Sequence, residues 1–278
     1  MFYLQLRNEL WKLFGKKRTY IGFGAFILAQ VAMVFLFQSR GWQRRFDLLL
    51  SGNGYAASEF VSALTVAVFM LIPQVLLLLH LYTTLVGGDL VAKEYEEGTL
   101  RMALSRPISR FRLLLVKWIT GVIFSFLLVF LLGAIALGFA RLLFPWKSLF
   151  VFNPGVGFNI LSPHDGVIRY LLAQCLIAVN ASVMFSIAFM FSCFNMKPAA
   201  ATILALTVWL ASLVLEALPA FDDYENLLVT YHFKCWLKVF QSPVPWSQIA
   251  QSEIILLGVA MSCFLIGCTA FQVRDIKS

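Results

Sequence analysis

Six apolar runs, each long enough to cross a bilayer as a helix, constrain this sequence more than any other feature. A membrane-spanning helix needs about 20 mostly apolar residues, and such runs recur at 20–37, 60–86, 113–139, 168–194, 199–218 and 253–271. The composition agrees, because 60% of the residues are hydrophobic and 13% charged, against roughly 45–50% and 25% in soluble domains. Strands of a membrane barrel would alternate apolar with polar residues, and runs such as 76–79 do not. We predict an all-α polytopic membrane protein, with six transmembrane helices in a single domain (1–278).

The basic residues predict which side of the membrane each connection occupies. With both termini inside, 14 of the 22 lysines and arginines fall on the inner side, and the outer side carries eight bases against eight acids. Short inner loops are enriched in bases, so we expect both termini in the cytoplasm. We attribute the net charge of +8 to topology and to attraction by anionic membrane lipids. A nucleic-acid partner is not expected, since no basic stripe with interleaved aromatics stands apart from the spans.

The densest charge lies between the second and third spans, in the segment 87–112 and the first turns after it. Residues 87–118 hold four acids and six bases. The acids mostly precede the bases, which suits a helix whose N-terminal end favours negative and whose C-terminal end favours positive charge. Pro107 disfavours helix at the residue before it and fits the first turn of a new helix. The segment therefore predicts a helix, a corner and a second helix on the cytoplasmic side.

This segment carries a family resemblance. An acidic pair, Gly-Thr-Leu, then Ser-x-Pro resembles the coupling segment after the second span in permease subunits of type-two ATP-binding-cassette exporters, and the ending FQVRDI at 271–276 is similar to that family's C-terminus. The resemblance implies a cytoplasmic coupling helix that docks on a separate ATPase, in a multi-pass protein of the bacterial inner membrane. The residues assigned to ATPase coupling are Glu94, Glu96, Glu97, Gly98, Thr99, Leu100, Arg101, Ser105 and Pro107.

The same resemblance implies the partners and cofactors. Six spans make half of the family's usual pathway, so we expect a second permease copy or a similar permease, two ATPase subunits, and surrounding membrane lipids. The sequence contains no phosphate-binding loop, HExxH or GxSxG motif. We therefore expect no enzyme activity, catalytic residue, metal or cofactor on this chain, with ATP bound and hydrolysed by the partner. The alternative is a non-transporting anchor or assembly factor whose charged loop binds another soluble protein.

The remaining segments yield narrower predictions. Residues 1–18 have the amphipathic pattern of an interfacial helix, and 219–250 form an outer segment whose make-up permits short helices folding back into the membrane. Pro73 predicts a kink in the second span, and His80 is expected to be packed or hydrogen-bonded rather than a proton relay. We interpret the cysteines as buried apolar residues and favour packing over metal trafficking for five methionines in the spans: Met33, Met70, Met184, Met190 and Met261. Scarce charge within the spans predicts an apolar, amphipathic or lipid-linked cargo.

Overall fold

The computed structural model describes residues 2–39, 41–42, 44, 61–100, 108–153 and 157–273. Helices α1 (Phe2–Gly15) and α2 (Lys17–Gln38) are followed by α3 (Ala63–Pro73), a π-helical turn (Gln74–Leu78) and α4 (Leu79–Glu96). The chain continues through α5 (Arg110–Leu143), strands β1 (Leu149–Asn153) and β2 (Gly157–Leu161), α6 (Pro163–Cys193) and α7 (Pro198–Glu216). A 3₁₀ helix (Pro219–Leu227), α8 (Val229–Phe233), α9 (Cys235–Lys238) and α10 (Trp246–Val273) complete it.

Six helical stretches are long and apolar enough to cross a membrane, which confirms the six predicted helices. They are Thr19–Gln38, Ala63–Glu96, Arg110–Leu143, Pro163–Cys193, Pro198–Glu216 and Trp246–Val273. Most extend beyond the apolar runs, and serine side chains cap the starts of the second, third and fourth spans. The fourth span, for example, begins five residues before the run at 168, where Ser162 accepts a hydrogen bond from the Asp165 backbone N–H at 3.2 Å. His164, beside it, is exposed.

Helix α6 is the centre of the bundle. In its most apolar stretch 72% of the residues are buried, against 22% in the first and fifth spans. It packs on α4, α5, α7 and α10. Two small residues allow the closest approaches: a Cβ at Gly87 would lie 2.5 Å from the Phe185 carbonyl oxygen, and one at Gly121 would overlap the Phe185 ring. The core therefore depends on α6 more than on any other helix.

The second span changes its helix type directly after Pro73. Ser62 caps its start, accepting from the Thr65 backbone N–H at 3.2 Å, and the π-helical turn follows directly after Pro73. Proline lacks the N–H that would continue the α-helical ladder, and the wider turn absorbs the mismatch. The prediction of a kink at Pro73 thus corresponds to a one-turn change of helix type.

A short antiparallel hairpin connects α5 and α6. Strands β1 and β2 pair from Leu149 with Leu161 to Asn153 with Gly157, and the Phe150 backbone N–H donates to the Thr65 hydroxyl at 2.9 Å. The sequence analysis expected only helices, so this hairpin is an addition to the predicted fold. Its five-residue strands, LFVFN and GFNIL, lack the strict alternation of apolar and polar residues that would predict a half-buried strand.

The segment between α7 and α10 folds back among the helices. Phe233 and Trp236 are buried, and the Asn180 side-chain amide donates to the Phe233 carbonyl at 2.9 Å. Asn180 lies 17 residues into α6, about 25 Å from its start at 1.5 Å per residue. The short helices of this segment therefore pack against the middle of α6, while their position relative to the membrane stays a prediction.

Candidate functional site

The end of the bundle where α4 stops and α5 starts, which we call the charged end, holds the segment predicted to carry function. Helix α4 ends at Glu96, and the Glu97 and Gly98 backbone N–H groups donate to the Lys93 and Tyr95 carbonyls at 2.9 and 3.1 Å. Gly98 adopts a φ of 74°, a left-handed conformation that costs other residues about 1–2 kcal/mol. Nothing lies within 4 Å of where its Cβ would stand. The glycine is therefore required by backbone conformation and not by space.

The two residues after Gly98 turn the chain back onto the bundle. The Thr99 hydroxyl donates to the Glu94 carbonyl at 3.2 Å, which satisfies one of the carbonyls that a helix end leaves free. Leu100 is 1% exposed and belongs to the main hydrophobic core. Each residue of the Gly-Thr-Leu motif thus has a local physical role. Gly98 ends α4, Thr99 caps its last turn, and Leu100 anchors the following chain in the core.

This turn presents an acidic pair to solvent. Glu96 and Glu97 are both exposed, and the Glu97 carboxylate lies 3.8 Å from the Lys93 ammonium. Glu94, assigned to the same coupling set, faces the other way and has 16% of its side chain exposed. The structure therefore divides the predicted acidic group into a surface pair and an internal member.

Glu94 belongs to a buried ionic group that we call the four-charge cluster, made of Glu9, Lys12, Glu94 and Lys117. Lys117 is 1% exposed, and its Nζ lies 2.7 Å from Glu94 Oε1 and 2.9 Å from Glu9 Oε2. Lys12, on the outer side, contacts Glu9 at 2.6 Å and Glu94 at 3.6 Å. Because a buried charge is tolerated only when paired, the cluster holds α1, α4 and α5 in one relative position.

Burial and ion pairing shift the pKa values of Glu9 and Lys12 in opposite directions. Burial alone would raise the pKa of Glu9, but Lys117 and Lys12 outweigh it and hold that pKa below the ordinary value of 4.5. Burial would lower the pKa of Lys12, but its hydrogen bond and charge interaction with Glu9, together with Glu94, raise it. Nearby Lys16 has no such balance, and burial lowers its pKa despite the charge of Asp89. Glu9 and Lys12 are thus stabilised in their ionised forms.

The other three predicted coupling residues lie outside the residues that the structure describes: Arg101, Ser105 and Pro107. The second helix begins at Arg110, later than a Pro107 start would give, because the Ser109 hydroxyl caps it by accepting from the Arg112 backbone N–H at 3.3 Å. Arg110 and Arg112 donate to the Gln272 carbonyl at 3.1 Å and to Gln5 Oε1 at 3.2 Å. These bases join α5 to the two ends of the chain.

A cleft of about 410 Å³ opens beside the acidic pair, between α4 and α7, and we call it the α4–α7 cleft. It is lined by Leu85, Asp89, Lys93, Glu96, Lys197, Pro198, Ala199, Thr202 and Ile203. The two helices approach closely at Gly88, where an added Cβ would overlap the Thr202 hydroxyl. The sequence predicted a coupling role for Glu96 among these residues, but it did not predict a cleft. No local motif marks the cleft, since its two walls are about a hundred residues apart in sequence.

Uncharged polar side chains lie deeper in the bundle. Gln30 and Gln74 are buried, with Gln30 Nε2 at 3.3 Å from Gln74 Oε1 and 2.9 Å from the Leu132 carbonyl. His80 stacks between Trp209 and Phe233, at centroid distances of 5.2 and 5.0 Å. His80 is therefore packed, as expected. Among the described residues no group of three or more His, Cys, Asp or Glu side chains is arranged to hold a metal ion.

Comparison with known proteins places the chain in a family without naming an activity. The sequence model of the family described as "Protein of unknown function (DUF2705)" matches residues 19–277. The chain is also 38% identical over 64 residues to "Uncharacterized protein YhcI" of Bacillus subtilis (strain 168). That match covers 22% of this chain and 20% of the relative's length, so it bears on a segment and not on a whole protein.

Proposed function

The chain belongs to the family described as "Protein of unknown function (DUF2705)", and we propose that it is the membrane-spanning subunit of an ATP-driven exporter of the ATP-binding-cassette type. The observation that carries this proposal is the exposed pair Glu96 and Glu97, held by the Gly98 stop and the Leu100 anchor directly over the four-charge cluster. Gly98 and the buried Leu100 support the proposal because they hold the acidic pair in one position on the surface.

In this proposal the charged end is cytoplasmic and α1 lies in the membrane interface. The apolar side chains that α1 turns outward support that placement, since Tyr3 and Trp11 are 71% and 72% exposed and aromatic residues favour the interface. A separate ATPase docks on the acidic pair through basic groups. A second copy of this chain, or a similar permease, completes the pathway.

The four-charge cluster connects this docking surface to helices α1 and α5. ATP-driven closure of the ATPase displaces the end of α4, and Lys117 transmits the displacement because it is bonded at once to Glu94 on α4 and to Glu9 on α1. Helix α5, which carries Lys117, then moves with them. Packed interfaces switch between discrete arrangements rather than deforming continuously, so the three helices reorient as one unit.

The cargo is proposed to be apolar, amphipathic or lipid-linked. The polar groups deep among the described helices include the amides of Gln30, Gln74 and Asn180, which suit hydrogen bonding to a weakly polar molecule. Moving a strongly hydrated ion would call for charged partners at that depth. Saturable transport of a small hydrophilic ion by the purified complex would contradict this part of the proposal.

The competing function is a non-transporting anchor or assembly factor that uses the same acidic pair. Purification of the chain from its native membrane, followed by identification and ATPase assay of any partner, separates the two. The exporter proposal predicts a partner ATPase whose hydrolysis in lipid depends on this chain. A stable soluble partner without ATPase activity would favour the anchor and overturn the exporter.

A further inference from the structure

The α4–α7 cleft combines a charged mouth with an apolar wall. On α4, Leu85, Asp89, Lys93 and Glu96 follow one another at spacings of four, four and three, so they share one helix face. The volume of about 410 Å³ lies within the roughly 300–1,000 Å³ typical of small-molecule sites. The close approach at Gly88 closes the cleft on its inner side, while its other side stays open.

The charges of the described residues that line the cleft balance. Lys93 and Lys197 contribute two positive charges, and Asp89 and Glu96 two negative ones. Lys197 and Glu96 are exposed, and the Lys93 ammonium lies 3.8 Å from the Glu97 carboxylate. Asp89 is 8% exposed and its charge also acts on Lys16. A purely anionic or purely cationic ligand would meet repulsion from one pair, whereas a ligand with one charge of each sign satisfies both.

The positions of the two signs indicate how such a ligand would lie. Lys197, Pro198 and Ala199 form the start of α7, whose N-terminal end adds a partial positive charge. No side-chain cap occupies this helix start. This charge pattern favours a phosphate at Lys197 and Lys93 and an ammonium group at the Glu96 carboxylate.

The apolar wall favours a lipid over a soluble molecule. Leu85 is 37% and Ile203 62% exposed, and both line the cleft on the membrane side of the charges. The site thus passes from charged to apolar along the helix axes, as a bilayer does from headgroup to acyl chain. A docked protein side chain would leave this wall uncovered.

We propose that the α4–α7 cleft binds a zwitterionic phospholipid with a primary ammonium group, namely phosphatidylethanolamine. Lys93 and Lys197 bind the phosphate, Glu96 accepts hydrogen bonds from the ammonium, and Leu85 and Ile203 contact the acyl chain. The inference depends on the membrane placement of the charged end but not on ATP coupling, so its failure and that of the exporter proposal are distinguishable.

The test is native mass spectrometry of the purified chain, alone, with equal amounts of phosphatidylethanolamine, phosphatidylcholine and phosphatidylglycerol. Phosphatidylcholine carries a cation that cannot donate hydrogen bonds, and phosphatidylglycerol carries none. Wild-type protein should retain phosphatidylethanolamine in preference to both. Equal retention of all three, or a preference for phosphatidylglycerol, would overturn the proposal without any variant.

Two variants and a control locate the site. The double variant Lys93→Gln, Lys197→Gln should lose phosphatidylethanolamine retention by about 30-fold, from two lysine–phosphate contacts. Glu96→Gln should keep the lipid but reduce the preference over phosphatidylglycerol by about 5-fold. Lys147→Gln, an exposed lysine at the opposite end of the bundle, should change neither. Loss of equal size in the Lys147 variant would show non-specific attraction and contradict the assignment.

Discussion

Replacing Lys117 by methionine removes the central charge of the four-charge cluster while keeping the length of the side chain. Glu9 and Glu94 then remain close together with 13% and 16% of their side chains exposed, and Lys12 is the one base still paired with them among the described residues. Removing one partner of a buried ion pair costs about 3–5 kcal/mol, because the remaining charge stays buried without compensation. We expect a loss of stability of that size.

The matched control is Lys12→Met. Lys12 touches the same two carboxylates, but 57% of its side chain is exposed, and exposed pairs contribute about 0–1 kcal/mol. At about 2–4 °C per kcal/mol, Lys117→Met should lower the thermal midpoint by about 6–20 °C and Lys12→Met by at most about 4 °C. The assay is thermal unfolding of both variants and wild type in the same lipid nanodiscs.

The pH dependence supplies a second readout. The pKa of Glu9 is lowered in the folded protein from its ordinary value of 4.5. A carboxyl group with a lowered folded pKa contributes stability that is present above the unfolded value and is lost as the pH falls through the folded one. Wild type should therefore lose this contribution below about pH 4.5, and its advantage over Lys117→Met should narrow there. Equal midpoints for the two lysine variants, or a gap that does not change with pH, would refute the reasoning.

Three further predictions test separate elements. Gly98→Ala should cost about 1–2 kcal/mol by strain at its φ of 74°, whereas Gly15→Ala, also in open space, should cost less than about 0.5 kcal/mol by the same unfolding assay. His80→Phe should fold and assemble normally, because a phenyl ring can replace the imidazole in its aromatic stack; lost activity in a well-folded variant would instead indicate proton transfer. In a cysteine-labelling scan of intact cells, position 96 should react only from the cytoplasm and position 223 only from outside, and the reverse pattern would overturn the topology.

The helices were predictable from the sequence because apolar periodicity and length leave few alternatives in a bilayer. The residues at which the helices begin and end were less predictable. Ser62, Ser109 and Ser162 act as caps through single side-chain hydrogen bonds, and a serine before an apolar run is too common to specify a boundary. The π-helical turn after Pro73 was predicted only as a kink. A proline in the sequence shows that a backbone hydrogen bond of the α-helix is lost, but not which local geometry the packed helix then adopts.

The candidate site was also predictable from the sequence only in part. Gly98 was assigned to ATPase coupling from a family motif, and that assignment stays a prediction; its left-handed conformation at the end of α4 was not predicted. The pairing of Glu9 with Lys117 joins residues 108 positions apart, and nothing in either neighbourhood marks the partner. The one available signal was Lys117 itself, a charge several residues inside an apolar helix, which implies a buried counter-charge. The α4–α7 cleft depends on which helices become neighbours and was beyond reach of sequence patterns.

The most direct test of the proposed function is the affinity of the complex after reversal of the acidic pair. In the double variant Glu96→Lys, Glu97→Lys, like charge faces the basic groups of the ATPase, at several kcal/mol where the contact is desolvated. The matched control is Asp222→Lys, Asp223→Lys, an adjacent pair of exposed acids outside the charged end. At physiological salt and equal expression, the account predicts at least about 100-fold weaker ATPase association for the first variant and wild-type association for the control. Wild-type association and stimulated hydrolysis in the Glu96→Lys, Glu97→Lys variant would contradict it.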